Sequence, residues 1–163
     1  MKIVSLIPAR KGSKGIPNKN LINLCGKPLI YYSIKASKGS LVKETWVSSD
    51  SDKILKISKS YGAKTIKRPL KLSGDNATSE TTLLHFAKSV DFDIMVFIQC
   101  TAPLIKSKDI NRGIEKMKKF DSVVSVSETS QMFWDENGPL YDIKKRARRQ
   151  SGIKRYLETG SFF

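Results

Sequence analysis

The chain has 163 residues, of which 39% are hydrophobic and 28% charged, a balance that excludes a disordered tail, a collagen-like chain and a disulfide-stapled mini-protein. No apolar run approaches the roughly 20 residues of a membrane span, and the apolar start at residues 3–9 is too short for a signal-peptide core. We therefore expect a cytoplasmic protein that does not bind membranes. The two cysteines, Cys25 and Cys100, define neither a disulfide framework nor a metal-binding spacing.

The charge is strongly basic, with 30 Lys and Arg residues against 15 Asp and Glu residues and a net charge of +15. Basic surfaces bind nucleic acids by releasing counterions from phosphates. The basic residues are, however, spread along the whole chain instead of forming a tail or a stripe. This distribution favours a lysine-rich solvated surface that also binds a small phosphate-bearing substrate. A basic nucleic-acid-binding protein is the less favoured alternative.

Short apolar runs alternate with stretches of helical periodicity along the chain. The apolar runs predict strands at residues 2–7, 44–50, 63–68, 93–99 and 122–127. The helical spacing predicts helices at residues 28–37 and 51–61, a third capped by Thr78 or Ser79, and a fourth capped by Ser107. This order predicts an α/β fold with a mostly parallel sheet, helices on both faces and right-handed crossovers.

The alternation stops after residue 130. A hairpin-like turn is predicted in residues 135–142, followed by the basic run KKRARR at 144–149, which a solvated surface would also explain. The last residues, GSFF at 160–163, resemble the first half of a strand. We therefore expect a chain that lacks the C-terminal part of its fold.

Polar clusters follow three of the predicted strands, at residues 10–20, 48–50 and 99–103. Ligands of parallel sheets bind outside the carboxyl ends of the strands, where these clusters lie. In the first cluster, glycines allow close backbone approach, and Arg10, Lys14 and Lys19 are cations that converge on the same short loop. Such a loop is suited to polyphosphate, although it matches neither the Walker A nor the G-x-G-x-x-G pattern. An ordinary basic surface loop is the alternative.

Residues 7–20, IPARKGSKGIPNKN, resemble the signature of the CMP-sialic acid synthetases, the acylneuraminate cytidylyltransferases. Further segments resemble the same family in order: GKPLIYYSI at 26–34, WVSSD at 46–50, KRPLKLSGDNATSE at 67–80, FIQCTAPL at 97–104, and RRQ at 148–150 followed by ETGSFF at 158–163. Four residues depart from the family pattern: Cys100, Ala102, Thr159 and Phe163.

The resemblance implies a Rossmann-like nucleotide-diphospho-sugar transferase fold of the glycosyltransferase A type. It also implies an enzyme that transfers CMP from CTP to the anomeric hydroxyl of an acidic nine-carbon sugar, a sialic acid or a legionaminic or pseudaminic relative, and releases pyrophosphate. The alternative is another sugar nucleotidyltransferase, either one acting on a neutral sugar phosphate or a member of the sister family of Kdo cytidylyltransferases. The Kdo family differs from this chain at Lys14 and at Lys19-Asn20.

The resemblance further implies roles for individual residues. Those that would hold the triphosphate and ribose are Arg10, Ser13, Lys14, Lys19 and Asn20. Those that would recognise cytosine are Arg68, the backbone of Ala77, and Ser79. Gln99 would lie between nucleotide and sugar, and the residues that would contact the acidic sugar are Arg148, Arg149 and Gln150. The catalytic cations would be Arg10, Lys19, Arg148 and Arg149.

The resemblance also implies Mg²⁺ (or Mn²⁺) as cofactor and a homodimer for the full-length protein, with no nucleic-acid or membrane partner. The family's metal-binding Asp-x-Asp and its exchanged dimer segment would lie beyond Phe163. We therefore expect residues 1–163 to form a single cytidylyltransferase domain without them. Asp50 is either a metal-facing carboxylate or the N-cap of the 51–61 helix.

Some residues could have a structural role and no part in the chemistry. Arg68 before Pro69 could be only a charge at a strand end. The single histidine, His85, lies on an apolar helix and is predicted to be a packed residue rather than a base. The aromatic residues Trp46, Phe86 and Phe97 are predicted to lie in the core.

Overall fold

The computed structural model describes residues 1–13, 15–74, 77–145 and 154–163. The helices are α1 (Leu29–Lys38), α2 (Asp52–Ser60), α3 (Ser79–Ala87) and α4 (Ser107–Lys116). The longer strands are β1 (Ile3–Pro8), β4 (Glu44–Ser49), β5 (Lys64–Lys67), β6 (Ile94–Phe97), β7 (Val126–Thr129) and β10 (Arg155–Glu158). The two-residue strands are β2 (Asn23–Leu24), β3 (Lys27–Pro28), β8 (Trp134–Asp135) and β9 (Gly138–Pro139).

The central sheet has four parallel strands in the order β5-β4-β1-β6. After β1 the chain builds outward on one side and then crosses back to place β6 on the other side. The carboxyl ends of β4, β1 and β6 therefore meet around a point where the winding direction reverses, which is where open α/β sheets bind ligands. Four of the predicted strands and all four predicted helices are confirmed.

Both faces of this sheet are covered by helices, as predicted. Alternate residues of a strand point to opposite faces. Ile3 and Ile7 pack in the core that contains α1, α2 and α4 residues, whereas Val4 and Leu6 pack in a second core around Phe86 of α3. Of the predicted core aromatics, Phe86 and Phe97 are buried and Trp46 is half-buried against the second core.

Of the two predictions about helix N-caps, one is confirmed and one is wrong. Thr78 caps α3 by accepting a hydrogen bond from the Thr81 N–H, as one of the two alternatives predicted. Ser107 does not cap α4: it is the first helical residue, and its hydroxyl donates to the Ala36 carbonyl at 2.8 Å. That prediction was wrong because a contact 71 residues away competes for the hydroxyl.

The predicted strand at 122–127 is wrong in its bounds, and the strand that forms does not join the parallel sheet. The strand begins only at Val126 and pairs antiparallel with β10, outside the central sheet. The place beside β6 is taken by the end of the chain: Phe162 bridges Ile98 in antiparallel sense, and Phe97 and Phe163 exchange both backbone hydrogen bonds. The chain end at GSFF therefore lies beside β6 through an isolated bridge but forms no strand of its own, so that prediction is only partly right. The predicted hairpin-like turn is confirmed by the β8–β9 hairpin at residues 134–139.

Gly113 of α4 permits the close approach of this last segment. A Cβ at position 113 would lie 2.8 Å from Cε2 of the Phe162 ring. The bare helix face lets the ring reach the core, where Phe162 is buried.

In the described ranges, no helix combines the length and apolar character needed to cross a bilayer.

Candidate active site

A cavity of 380 Å³ opens at the carboxyl end of the central sheet. It is lined by residues that follow β1, β5 and β6 and by the start of α3. Every described residue predicted to bind CTP lines it: Arg10, Ser13, Lys19, Asn20, Arg68, Ala77, Ser79 and Gln99. None of its described lining residues is acidic, so the cavity favours an anionic ligand. The structure thus brings these residues together, while their individual roles toward CTP stay predictions.

Four predicted site residues lie outside the described ranges: Lys14, Arg148, Arg149 and Gln150. Their roles stay predictions as well.

The loop after β1 is fixed at two points. The buried Asn20 side chain donates from Nδ2 to the Arg10 carbonyl at 2.9 Å, which ties the end of the loop to its start. The Lys11 N–H donates to Oδ1 of Asp50 at 2.8 Å, which ties the loop to the end of β4. Asn20 therefore shapes the loop in addition to any ligand contact. Asp50 is not the N-cap of α2, because Ser51 accepts the Ile54 N–H instead.

Lys19 begins a short 3₁₀ turn, Lys19–Leu21, behind the left-handed Asn18 (φ 52°). It is half-buried at the cavity wall, and its ammonium group pairs with no described residue. Asparagine is among the few residues that adopt this backbone conformation at low cost. The turn therefore delivers a positive charge to the cavity.

Arg68 follows β5, and only 5% of it is exposed. Its backbone N–H continues the sheet by donating to the Ser49 carbonyl at 2.8 Å. Its guanidinium donates from Nε to Ser73 Oγ at 3.0 Å and from Nη1 to Thr82 Oγ1 at 2.7 Å. Burial lowers the pKa of Arg68 from its ordinary value, while the Asp50 charge opposes that shift and Arg10 adds to it. This buried, cavity-lining environment differs from that of a solvated charge at a strand end.

Ala77 and Ser79 lie at the start of α3. The Ala77 N–H donates to the Gly74 carbonyl at 3.2 Å, whereas no described residue donates to the Ala77 carbonyl. The backbone group that position 77 offers is therefore an acceptor, as an exocyclic amino group requires. Ser79 is exposed at the cavity edge.

Gln99 and Cys100 follow β6. The Gln99 backbone is held on both sides, because its N–H donates to the Ser161 carbonyl at 3.0 Å and its carbonyl accepts from Ser33 Oγ at 3.3 Å. Its half-buried side chain lines the cavity. Burial raises the pKa of the Cys100 thiol to about 12, although Lys19 opposes the shift. Cys100 is thus a neutral packing residue at neutral pH.

The described residues do not form a site that holds Mg²⁺ on protein ligands alone. Within the ranges that the structure describes, no three His, Cys, Asp or Glu side chains cluster as metal ligands. The Asp50 carboxylate uses one oxygen to accept the Lys11 N–H.

The family model for cytidylyltransferases matches residues 4–162, and the chain belongs to this family. N-acylneuraminate cytidylyltransferase B of Danio rerio is 36% identical over 98% of this chain and 40% of its own length. Pseudaminic acid cytidylyltransferase of Campylobacter jejuni is 31% identical over 100% of this chain and 78% of its own length. This chain therefore spans about two fifths of the length of the Danio rerio protein.

Solved structures confirm the fold class. A structure of CMP:2-keto-3-deoxy-manno-octonic acid synthetase complexed with CTP superposes with a TM-score of 0.79 at 21% identity, over 99% of this chain and 73% of that chain. The shared feature is the nucleotidyltransferase architecture that was expected from the family resemblance.

Two residues beside the cavity were missed by sequence reasoning, Ser73 and Thr82. Both are buried and both accept a hydrogen bond from Arg68. The available signal was a Ser and a Thr placed 5 and 14 residues after an Arg-Pro pair, a spacing that carries meaning only once the turn and helix are in place.

Proposed function

We propose that the protein transfers CMP from CTP to the anomeric hydroxyl of an acidic nine-carbon sugar and releases pyrophosphate. The observation that carries this proposal is the cavity at the switch point of the sheet, where Arg10, Lys19 and Arg68 converge and none of the described lining residues is acidic. Family membership supports CTP as the donor. The relatives named for N-acylneuraminate and pseudaminic acid support an acidic sugar as the acceptor.

The proposed reaction is an in-line substitution at the α-phosphorus. The anomeric oxygen forms the new bond to phosphorus, the bond to the β-phosphate oxygen breaks, and the hydroxyl proton is lost to solvent. Negative charge develops on the phosphate oxygens, so positioned cations lower the barrier. Lys19 and Arg10 are the cavity cations proposed for this role, because both belong to the loop fixed by Asn20 and Asp50.

The remaining parts of the proposal concern the whole protein. The sugar carboxylate would pair with Arg148 or Arg149, since arginine binds carboxylates through two parallel hydrogen bonds. Mg²⁺, a homodimer, a single domain over residues 1–163 and a cytoplasmic location stay predictions.

Calorimetry with a nucleotide panel tests the donor. We expect CTP to bind more tightly than UTP, ATP and inorganic triphosphate. Arg68→Ala and Ser79→Ala should weaken CTP more than triphosphate, because both are assigned to the base. Ser89→Ala, which removes an exposed hydroxyl just after the end of α3, is the matched control. Equal losses for both ligands would remove the cytosine assignment, and salt-sensitive duplex binding without CTP preference would favour the nucleic-acid alternative.

Pyrophosphate release tests the acceptor. CTP and Mg²⁺ are supplied with sialic, legionaminic, pseudaminic or Kdo acid, using this chain and a version extended by its native downstream codons. We expect turnover with a nine-carbon acid in the extended version, and CTP binding with poor or no turnover in this chain. Turnover with Kdo alone would instead support the alternative assignment.

A further inference from the structure

Arg68 is enclosed far more than the other cations of the cavity. It is 5% exposed, whereas Arg10 and Lys19 are half-buried. A charged group loses hydration when it is buried, and this cost must be offset by hydrogen bonds or by an opposite charge. The groups that offset the cost of burying the Arg68 charge therefore decide which of its donors remain for a ligand.

Two neutral hydroxyls hold the guanidinium. Nε donates to Ser73 Oγ at 3.0 Å and Nη1 donates to Thr82 Oγ1 at 2.7 Å. The Ser73 hydroxyl donates its own proton to the Pro69 carbonyl at 3.2 Å, which leaves its lone pairs for Arg68. Ser73 and Thr82 are 9% and 3% exposed. Bonds at two of the three nitrogens fix both the position and the plane of the group.

The two hydroxyls leave the charge and one terminal nitrogen of Arg68 available. Among the described residues, no carboxylate forms an ion pair with Arg68, and Nη2 donates to none of them. Arg68 and Thr82 both line the cavity. The remaining donors of Arg68 are therefore available to an acceptor in the cavity.

We propose that Ser73 and Thr82 are positioning residues that orient Arg68 for the recognition of cytosine, an inference that rests on the proposed function. Cytosine offers N3 and O2 as adjacent acceptors, whereas uracil carries a proton on N3. A guanidinium held in one plane donates well to cytosine but meets a donor in uracil, and such a mismatch is strongly discriminating. The pair therefore controls the choice of base rather than phosphate affinity.

The test compares Thr82→Val and Ser73→Ala with Thr45→Val. Thr45 is also buried, at 6% exposure, and its hydroxyl bonds Ser37 Oγ at 2.7 Å, but it does not line the cavity. We expect Thr82→Val and Ser73→Ala to bind CTP about tenfold more weakly, as for a lost hydrogen bond to a charged group. The affinity for inorganic triphosphate should be unchanged, and the ratio of CTP affinity to UTP affinity should fall. Thr82→Ser should restore both the CTP affinity and this ratio.

The CTP-to-UTP ratio separates positioning from mere stability. Thr45→Val should keep the wild-type ratio even where its thermal stability falls. Folded Thr82→Val and Ser73→Ala proteins that keep the wild-type ratio would overturn the inference while leaving the proposed function intact.

Hydrogen exchange of the Arg68 Nε–H, assigned with Arg68→Lys, supplies a readout that needs no ligand. We expect slow exchange in the wild type and at least tenfold faster exchange in Ser73→Ala, since its acceptor is gone. If the wild type shows no preference for CTP, the proposed function fails, and unchanged exchange in Ser73→Ala separately overturns the positioning role.

Discussion

The residues up to α4 and the residues after it are stabilised in different ways. In residues 1–116, two cores cover the two faces of a parallel sheet, and Val4, Leu6 and Ile7 are fully buried. In the described residues after 121, the strands pair two by two in β7–β10 and β8–β9, and the chain end at Phe162 and Phe163 bonds to β6 of the central sheet. Trp134 and Leu140 there are 63% and 66% exposed.

This difference indicates that the central sheet, and not the two-stranded ribbons, keeps the candidate site rigid. Two-stranded ribbons are marginal on their own, whereas a sheet buried on both faces has a register enforced by its side chains. The cavity residues from Arg10 to Gln99 all follow or precede elements of the doubly covered sheet. The cavity proposed to bind the nucleotide is therefore built on the part of the molecule that the doubly covered sheet supports.

Phe86→Ala and Trp134→Ala test the comparison with the largest expected effect. Phe86 is fully buried under the sheet, so its truncation should lower the free energy of unfolding by about 3–5 kcal/mol. Trp134 is exposed, and its truncation should change it by no more than about 0.5 kcal/mol. Denaturant unfolding measures both values. Similar losses for the two variants would mean that the ribbons carry as much stability as the sheet.

Lys19→Ala tests whether the cavity at the carboxyl end of the central sheet carries the reaction. A preorganised cation at the reacting phosphate contributes about 3–4 kcal/mol, so kcat/KM for pyrophosphate release should fall roughly a hundred- to thousandfold. Lys56→Ala, on the exposed face of α2, makes the same change in net charge and should leave kcat/KM unchanged. A loss below about threefold for Lys19→Ala would show that it is a surface lysine.

Asp50→Ala and Ser51→Ala separate two neighbouring roles with smaller effects. Asp50 holds the loop through the Lys11 N–H, so its removal should weaken CTP binding about three- to tenfold, near the low end for a charged hydrogen bond because Asp50 is half-exposed. Ser51 caps α2, so its removal should cost about 1 kcal/mol of stability with CTP affinity unchanged. Calorimetry and denaturant unfolding distinguish the two. The reverse pattern would return the capping role to Asp50.

Most of the fold could be predicted because its signals are local. The apolar run at 93–99 and the helical spacing after Ser51 depend on neighbouring residues alone. The predictions for Ser107 and for 122–127 failed because remote partners decide them: the Ala36 carbonyl in the first case and the Phe162 backbone in the second.

The site was predicted as a set of positions rather than as an arrangement. The loop signature and Arg68 were found through family resemblance, and the structure places them around one cavity. Ser73 and Thr82 carry no local signal, since a hydroxyl in a turn and a hydroxyl in a helix are ordinary by themselves. Their relation to Arg68 exists only after folding.

The burial of Cys100 has a practical consequence for labelling. A thiol whose pKa is about 12 is almost entirely protonated at neutral pH, and the thiolate is the species that alkylates. Cys25 is exposed in the turn between β2 and β3. The native protein should therefore take one maleimide, at Cys25, and the denatured protein two, as intact mass would show. A dye can thus be placed on the wild-type chain without altering the cavity, and its polarisation would follow assembly of the protein with larger partners.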